Sequence, residues 1–239
     1  MNNPKTIISL CDYSGTWSRP YDEAGYRVFQ VDIKLDPENV CGFCGYRPLP
    51  EGVGIYGCPN CEGDLEAEDW DNTTRLALTV QEVLAMVDQI GPVYGMLMAP
   101  PCTHFSLSGA QYWRKKDKDG RTAEGLAIVD ACLSLVEVVR PRWWVLENPV
   151  GRLPQLRPNT LGQPRMYFDP CDYGDPYTKK TGLWGRFTPP LPLFIGGDWR
   201  VEPVEGSKML RYGGNSERTK EQRSETPEGF AQAFFMANP

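Results

Sequence analysis

Short apolar runs separated by polar turns rich in glycine and proline mark out the chain. Thr6-Ile7-Ile8-Ser9-Leu10-Cys11 predicts a strand, Ser18 to Gly25 a short helix, and Arg27-Val28-Phe29-Gln30-Val31-Asp32 a second strand that ends in a carboxylate. Asp69 to Thr74 reads as a connector. Thr79-Val80-Gln81-Glu82 has the spacing of a capping box, in which the Thr hydroxyl and the Glu carboxylate satisfy each other's backbone N–H groups. Val83, Leu84, Met86, Val87 and Ile90 then give a helix with one apolar face, and Gly91-Pro92 stops it. Pro92 to Met98 predicts a buried strand. Gln111 to Arg121 is polar and basic and predicts a mobile loop. Thr122 is expected to cap a long helix with a core stripe of Leu126, Val129, Leu133, Val136 and Val139, which Pro141 ends. Trp143-Trp144-Val145-Leu146 predicts another buried strand, followed by Glu147-Asn148-Pro149. Arg165 to Phe168, Gly182 to Phe187 and Leu191 to Ile195 are the later strands, with a turn carrying two lysines from Tyr173 to Lys180. Thr226-Pro227-Glu228 opens a last helix through Met236.

One stretch does not fit this alternation. Cys41-Gly42-Phe43-Cys44 and Cys58-Pro59-Asn60-Cys61 are two CxxC pairs separated by 13 residues, and glycines follow the first pair and precede the second. Four thiolates so arranged suit tetrahedral zinc. The segment has almost no apolar core of its own. Zinc would supply its folding free energy, on the order of 10 kcal/mol. Residues 37–64 are therefore expected to form a zinc ribbon inserted after the second strand, with Cys41, Cys44, Cys58 and Cys61 as ligands. Four cysteine ligands leave no open coordination position, so the metal is expected to be structural.

Composition narrows the class. With 239 residues, 41% of them hydrophobic, the chain can bury one large core. No apolar run approaches the roughly 18 residues that span a membrane, and the polar start predicts no signal peptide. A cytoplasmic protein without membrane partners is expected. Eight cysteines in such a protein point to metal binding and catalysis before disulfides. The net charge of −6 argues against nonspecific coating of nucleic acid. It leaves room for a local basic surface from Arg114 to Lys118, Arg140 with Arg142, Lys179-Lys180 and Arg218 to Arg223.

Candidate chemistry gathers at predicted strand ends. Met98-Ala99-Pro100-Pro101-Cys102-Thr103-His104-Phe105-Ser106 places a thiol just past a strand that two prolines terminate. In an open α/β sheet this is the end at which ligands bind. Glu147 follows a second buried strand in the same way, and partial burial of such a carboxyl raises its pKa toward use as a proton donor. The first strand, the loop Asp12-Tyr13-Ser14-Gly15-Thr16-Trp17, the short helix and the strand ending in Asp32 have the layout of a nucleotide-type cofactor site.

Pro-Pro-Cys with Phe-Ser three residues on, followed about 45 residues later by Glu-Asn-Pro, resembles the DNA cytosine carbon-5 methyltransferases. The resemblance covers most of residues 5 to 190. It implies a Rossmann-like α/β domain with a mostly parallel sheet that binds S-adenosylmethionine. It implies Cys102 as nucleophile toward carbon 6 of a flipped cytosine and Glu147 as its partner at ring N3. Asn148 would brace the Pro-Pro-Cys loop, and Lys179 stands where the family has its first arginine. For the cofactor it implies Asp12, Ser14 and Gly15 at the methionine part, Asp32 at the ribose and Asp69 or Asp71 at the adenine. Tyr13, Thr16, Trp17, Ile33 and Pro100 complete the expected cofactor site. The partner would be DNA.

Departures from the family pattern are specific. The first loop is Tyr13-Ser14-Gly15-Thr16-Trp17 where the family has Phe-x-Gly-x-Gly, and Pro149 replaces a valine. After Tyr173-Gly174-Asp175-Pro176, Tyr177 replaces a glutamine, Lys179 the first arginine and Thr181 the second, which removes the planar guanidinium forks. Residues 190–239 are too few for a full target-recognition domain, although Arg223-Ser224-Glu225-Thr226-Pro227-Glu228 is similar to a late segment of the family. The compact form with an inserted ribbon looks like methylase-like proteins of bacteriophages, which would place it in the host cytoplasm. The same chemistry on RNA or a free cytosine nucleotide, a modified methyl donor, and a catalytically silent zinc protein that binds nucleic acid stay open as alternatives.

Overall fold

The computed structural model describes residues 4–35, 73–192, 201–208, 219 and 223–239. Among the described residues seven strands form one sheet in the order β3-β2-β1-β4-β5-β7-β6. β1 (Thr6–Leu10), β2 (Arg27–Val31), β3 (Thr73–Leu76), β4 (Gly95–Met98) and β5 (Trp143–Pro149) run parallel. β7 (Thr181–Arg186) is antiparallel to both β5 and β6 (Met166–Phe168). The helices are α1 (Arg19–Glu23), α2 (Val80–Ile90), α3 (Trp113–Lys118), α4 (Arg121–Val139), α5 (Leu153–Leu156) and α6 (Glu228–Ala237). The mostly parallel α/β sheet expected from the sequence is present.

Both faces of the sheet are covered, which is why its strands read as continuous apolar runs. Successive side chains point to opposite faces. Ile8, Phe29, Met96 and Leu146 pack with Val83 and Val87 of α2 and Leu126, Val129 and Leu135 of α4. Ile7, Val28, Leu97 and Val145 pack on the other face with Trp17, Tyr21 and the α6 residues Phe230 and Phe234. Each fully buried side chain of this size contributes about 1.5–3 kcal/mol. α2 carries the capping box predicted for it, with Glu82 N–H donating to the Thr79 hydroxyl at 3.2 Å and Thr79 N–H donating to the Glu82 carboxylate at 2.7 Å.

Four local expectations are corrected. Gln111 to Arg121 is not a loop: a 3-10 turn over Leu107–Tyr112 leads directly into α3. Thr122 does not cap α4. That helix starts at Arg121 after Gly120, whose φ of 86° is left-handed, and the Thr122 hydroxyl donates instead to Asp117 at 2.7 Å. Thr73 and Thr74, the end of the expected connector, begin a parallel edge strand over Thr73–Leu76. Leu191 and Pro192 are not in a strand; the rest of the expected strand at 191–195 lies outside the described residues. The expected zinc ribbon with Cys41, Cys44, Cys58 and Cys61, and the acids Asp69 and Asp71, also lie outside them.

One topological detail positions the chemistry. β4 ends at Met98, opposite Leu146, because Pro100 and Pro101 follow. β5 continues for three more residues because antiparallel β7 supplies partners: Glu147 opposite Leu183, Asn148 opposite Gly182 and Pro149 opposite Thr181. Glu147 therefore sits inside a ladder rather than on a loose strand end. The strand overhang runs alongside the turn that carries Cys102.

Candidate active site

Strand order reverses between β1 and β4, with β2 on one side and β5 on the other. A crevice is expected at the carboxyl ends of the strands where the order reverses. A cavity of about 1120 Å³ opens there. Its wall runs from Asp12, Tyr13 and Ser14 after β1, through Asp32 and Ile33 after β2 and Leu78 to Gln81 after β3, to Cys102 after β4 and Lys179 before β7. Ser224, Glu225 and Thr226 close its far side.

Cys102 is half-buried and lines the cavity. Burial pushes its thiol up from the usual range, while the nearby Lys179 ammonium and a hydrogen bond from Ser106 pull it down. Burial dominates, so the free protein holds the residue mainly as thiol near neutral pH. An alkylation-rate profile for Cys102 with iodoacetamide should have its midpoint above the value of about 8.5 for an exposed thiol. Lys179→Met should move that midpoint higher still. A midpoint at or below 8.5 would contradict the balance of burial over charge.

Glu147 is buried and pairs with Lys179, whose ammonium lies 3.7 Å from the carboxylate; the two side chains are 7% and 3% exposed. The Lys179 ammonium also donates to the backbone oxygens of Ser224 and Glu225, at 3.4 Å each. Lys208 lies close enough to this group to feel the Lys179 charge. Its backbone N–H donates to Thr178 O at 3.0 Å, and burial together with the Lys179 charge pulls its ammonium down to about 8. Asn148 is fully buried, and its side-chain amide donates to Pro100 O at 2.9 Å, tying β5 to the Pro-Pro-Cys segment.

The expected cofactor residues divide. Asp12, Tyr13, Ser14, Asp32 and Ile33 line the cavity. Asp32 is half-buried and accepts from Lys34 N–H at 2.8 Å; burial raises its carboxyl and that bond opposes the shift. Asp12 is buried, and one of its carboxylate oxygens accepts from the Ser9 and Ser18 hydroxyls, both at 2.8 Å. It thus holds the loop together as well as bordering the cavity. Gly15 has a φ of 69°, which the tight turn requires and which a side chain would strain. Thr16 points to Glu225, 3.4 Å away, and Trp17 is buried among Phe230 and Phe234 on the opposite side of the sheet. Neither of these two side chains lines the cavity, and Pro101 rather than Pro100 does.

Several wall residues were not singled out from the sequence. Leu78 follows β3, an edge strand too short and polar to be recognised, and Gln81 lies in the first turn of α2. Glu225 arrives from far along the chain. Lys116 in the wall, and Arg152 just outside it, hold the turn after Cys102 and carry no motif.

The wall offers chemistry that suits an S-adenosyl group: an acid at the end of β2, apolar surface from Ile33 and Leu78, and the loop residues Asp12, Tyr13 and Ser14 that precede the Gly15 turn. Among the described residues no cluster of three or more histidines, cysteines or acids could hold a metal. None of the described helices is long and apolar enough to cross a membrane.

No protein-family model matches the chain, and no curated protein matches it. Among solved structures the chain is similar to a DNA modification methyltransferase encoded within a prophage of E. coli, with 15% identity and a TM-score of 0.42 over 76% of this chain and 46% of that one. It is also similar to the Entamoeba histolytica methyltransferase EhMeth, with 13% identity and a TM-score of 0.37 over 90% of this chain and 61% of that one. The chain therefore spans about half to three-fifths of the length of these two proteins.

Proposed function

We propose that the protein transfers a methyl group from S-adenosylmethionine to carbon 5 of cytosine in DNA. The observation that carries this reading is the convergence, in one cavity, of the Cys102 thiol with Lys179, the ion-pair partner of Glu147, and with the Asp32 end of β2. Cytosine carbon 5 is a poor nucleophile until a thiolate adds at carbon 6, so the reaction calls for covalent catalysis. Cys102 gives up its thiol proton to solvent in the cavity, and the thiolate forms the sulfur–carbon bond at carbon 6. Glu147 engages ring N3, and the Lys179 ammonium, 3.7 Å from its carboxylate, adds positive charge beside the ring as negative charge develops there. When bound, S-adenosylmethionine supplies an electrophilic methyl group. After transfer, a base takes the carbon-5 proton, the carbon–sulfur bond breaks, and Cys102 is released as thiolate.

A cytosine inside a duplex has to be flipped out to reach this depth, at a cost of a few kcal/mol. The four-cysteine zinc ribbon at 37–64 belongs to the same reading on its residue spacing, as a structural element and a further DNA contact. The bacteriophage-type assignment rests on the compact sequence pattern.

The test is mass spectrometry of nucleosides from DNA of cells that express the protein, beside a Cys102→Ser control. A 5-methylcytosine peak absent from the control is the expected outcome. A peak of another mass on cytosine would replace the plain methyl donor with a modified one. A peak confined to RNA or nucleotide pools would move the substrate away from DNA. Absence of any modified cytosine, together with no S-adenosylmethionine binding by calorimetry, would overturn the reading in favour of a silent nucleic-acid binder.

A further inference from the structure

The turn that carries Cys102 is held by more than its own backbone. Phe105 N–H and Ser106 N–H both donate to Cys102 O, at 2.9 and 3.0 Å, so the residues after the thiol curl into one tight turn. Each of the next three backbone oxygens has a donor. The Lys116 ammonium donates to Thr103 O. The Arg152 guanidinium donates to His104 O through Nε at 3.3 Å and Nη2 at 3.2 Å. The backbone N–H of Arg152 donates to Phe105 O at 2.9 Å.

Arg152 is the centre of this grip. Its Nη1 and Nη2 meet both carboxylate oxygens of Asp117, at 2.8 and 2.7 Å, and Nη2 also donates to the Thr122 hydroxyl at 3.0 Å. The guanidinium lies 4.7 Å from the ring centre of Trp113, the first residue of α3. Its side chain is only 13% exposed. A planar fork that serves a carboxylate, a carbonyl and an aromatic face at once is chemistry that lysine cannot reproduce.

The backbone around Arg152 is fitted to the same turn. Leu107 N–H donates to Val150 O at 3.0 Å, and Ser106 bridges Gly151. A Cβ on Gly151 would stand 2.0 Å from Phe105 O, so no other residue permits this approach. Arg152 follows β5, which carries Glu147. One short stretch thus links both halves of the reaction centre: the acid at 147 and, five residues on, the side chain that fixes the turn of the thiol.

We infer that Arg152, with Asp117 as its counter-ion, is a positioning residue that fixes the Cys102 turn against the Glu147 strand. The inference rests on the reading of Cys102 as nucleophile for its effect on turnover, but not for its effect on the turn itself. Asp117 stays ionised because the Arg152 bonds hold its carboxyl down to about 2. The folded value lies below the unfolded one, so the clamp is intact above the usual carboxylate range and is released only as pH falls toward 2. It does not titrate across the working range, and a pH profile of turnover should reflect other groups.

The experiment compares Arg152→Met, Arg152→Lys and Asp117→Asn in the full-length protein. Two readouts need no substrate: the rate of tryptic cleavage at Arg114, Lys115 and Lys118, and the rate of Cys102 alkylation by iodoacetamide. Arg152→Met is expected to speed cleavage and alkylation by about tenfold or more, and Arg152→Lys to restore little of the protection. The Arg152→Met/Asp117→Asn double variant should be no worse than Arg152→Met, since both act through one contact. On methyl transfer, Arg152→Met should lower kcat by about 10²-fold, the scale of a misplaced reacting group, with KM for S-adenosylmethionine within about twofold. Unchanged cleavage and alkylation in a folded Arg152→Met protein would overturn the inference. So would full rescue by lysine, or kcat and KM changing in step with a general loss of stability. If the wild-type protein transfers no methyl group, the functional reading fails while cleavage and alkylation still decide the clamp.

Discussion

Cys102→Ser should abolish turnover while leaving the fold intact. The substitution exchanges sulfur for oxygen at a half-buried position whose surroundings already disfavour the anion. A hydroxyl there would have to ionise far above the thiol range, and oxygen is a weaker nucleophile toward the ring carbon. Loss of a covalent nucleophile costs on the order of 10⁴-fold or more in kcat. The packing loss is small, because serine fits the same space and the turn is held by donors to the carbonyls of Thr103, His104 and Phe105 rather than by the thiol. Denaturation midpoint, S-adenosylmethionine affinity and the methyl-transfer rate should be measured on one preparation. Normal midpoint and affinity with turnover below detection is the expected set. Turnover retained within tenfold would mean that carbon 6 is not attacked by this residue.

Breaking the Glu147–Lys179 pair should produce the largest stability effect. Both side chains are almost fully buried, so a partner left alone is an uncompensated charge in a poor solvent. Removing one member of such a pair costs about 3–5 kcal/mol. For a protein of this size that is a fall of roughly 6–20 °C in Tm. Lys179→Met is the sharper probe, because the backbone oxygens of Ser224 and Glu225 lose their donor as well. Lys208 should respond: with the Lys179 charge gone, its ammonium loses a repulsive neighbour and its pKa should rise from about 8. Adding Glu147→Gln to Lys179→Met should regain much of the loss, since the stranded carboxylate is then neutral. Strict additivity of the two single effects would show that the pair is not coupled, against the 0.5–3 kcal/mol expected for residues in contact.

Much of the fold was legible because its strands are buried on both faces. Ile7-Ile8, Val28-Phe29 and Met96-Leu97 are apolar without interruption, which marks them as central whatever their neighbours. β3 was not legible for the opposite reason. Thr73-Thr74-Arg75-Leu76 lies at the sheet edge, where one neighbour suffices and little needs burying, so its composition resembles a linker. Gln111 to Arg121 was misread because the stabilising partners of α3 are distant in sequence: Arg152 holds Asp117 and stacks on Trp113. Local polarity cannot register an ion pair across 35 residues.

The site divides in the same way. Cys102 after Pro100-Pro101, Glu147-Asn148 after an apolar strand and Asp32 at the end of β2 are determined by the sequence itself, because a thiol or a carboxylate at a strand end is recognisable from its neighbours in the chain. The order of strands in space is not local information. It brings β1 and β4 side by side, opens the cavity between their carboxyl ends, and carries β5 past β4 on an antiparallel partner. Only then does Lys179 meet Glu147, does Trp17 turn into the opposite core, and does Arg152 reach the turn of Cys102. Those contacts depend on long-range packing, whose free energy is set by which surfaces are buried together and not by the spacing of residues along the chain.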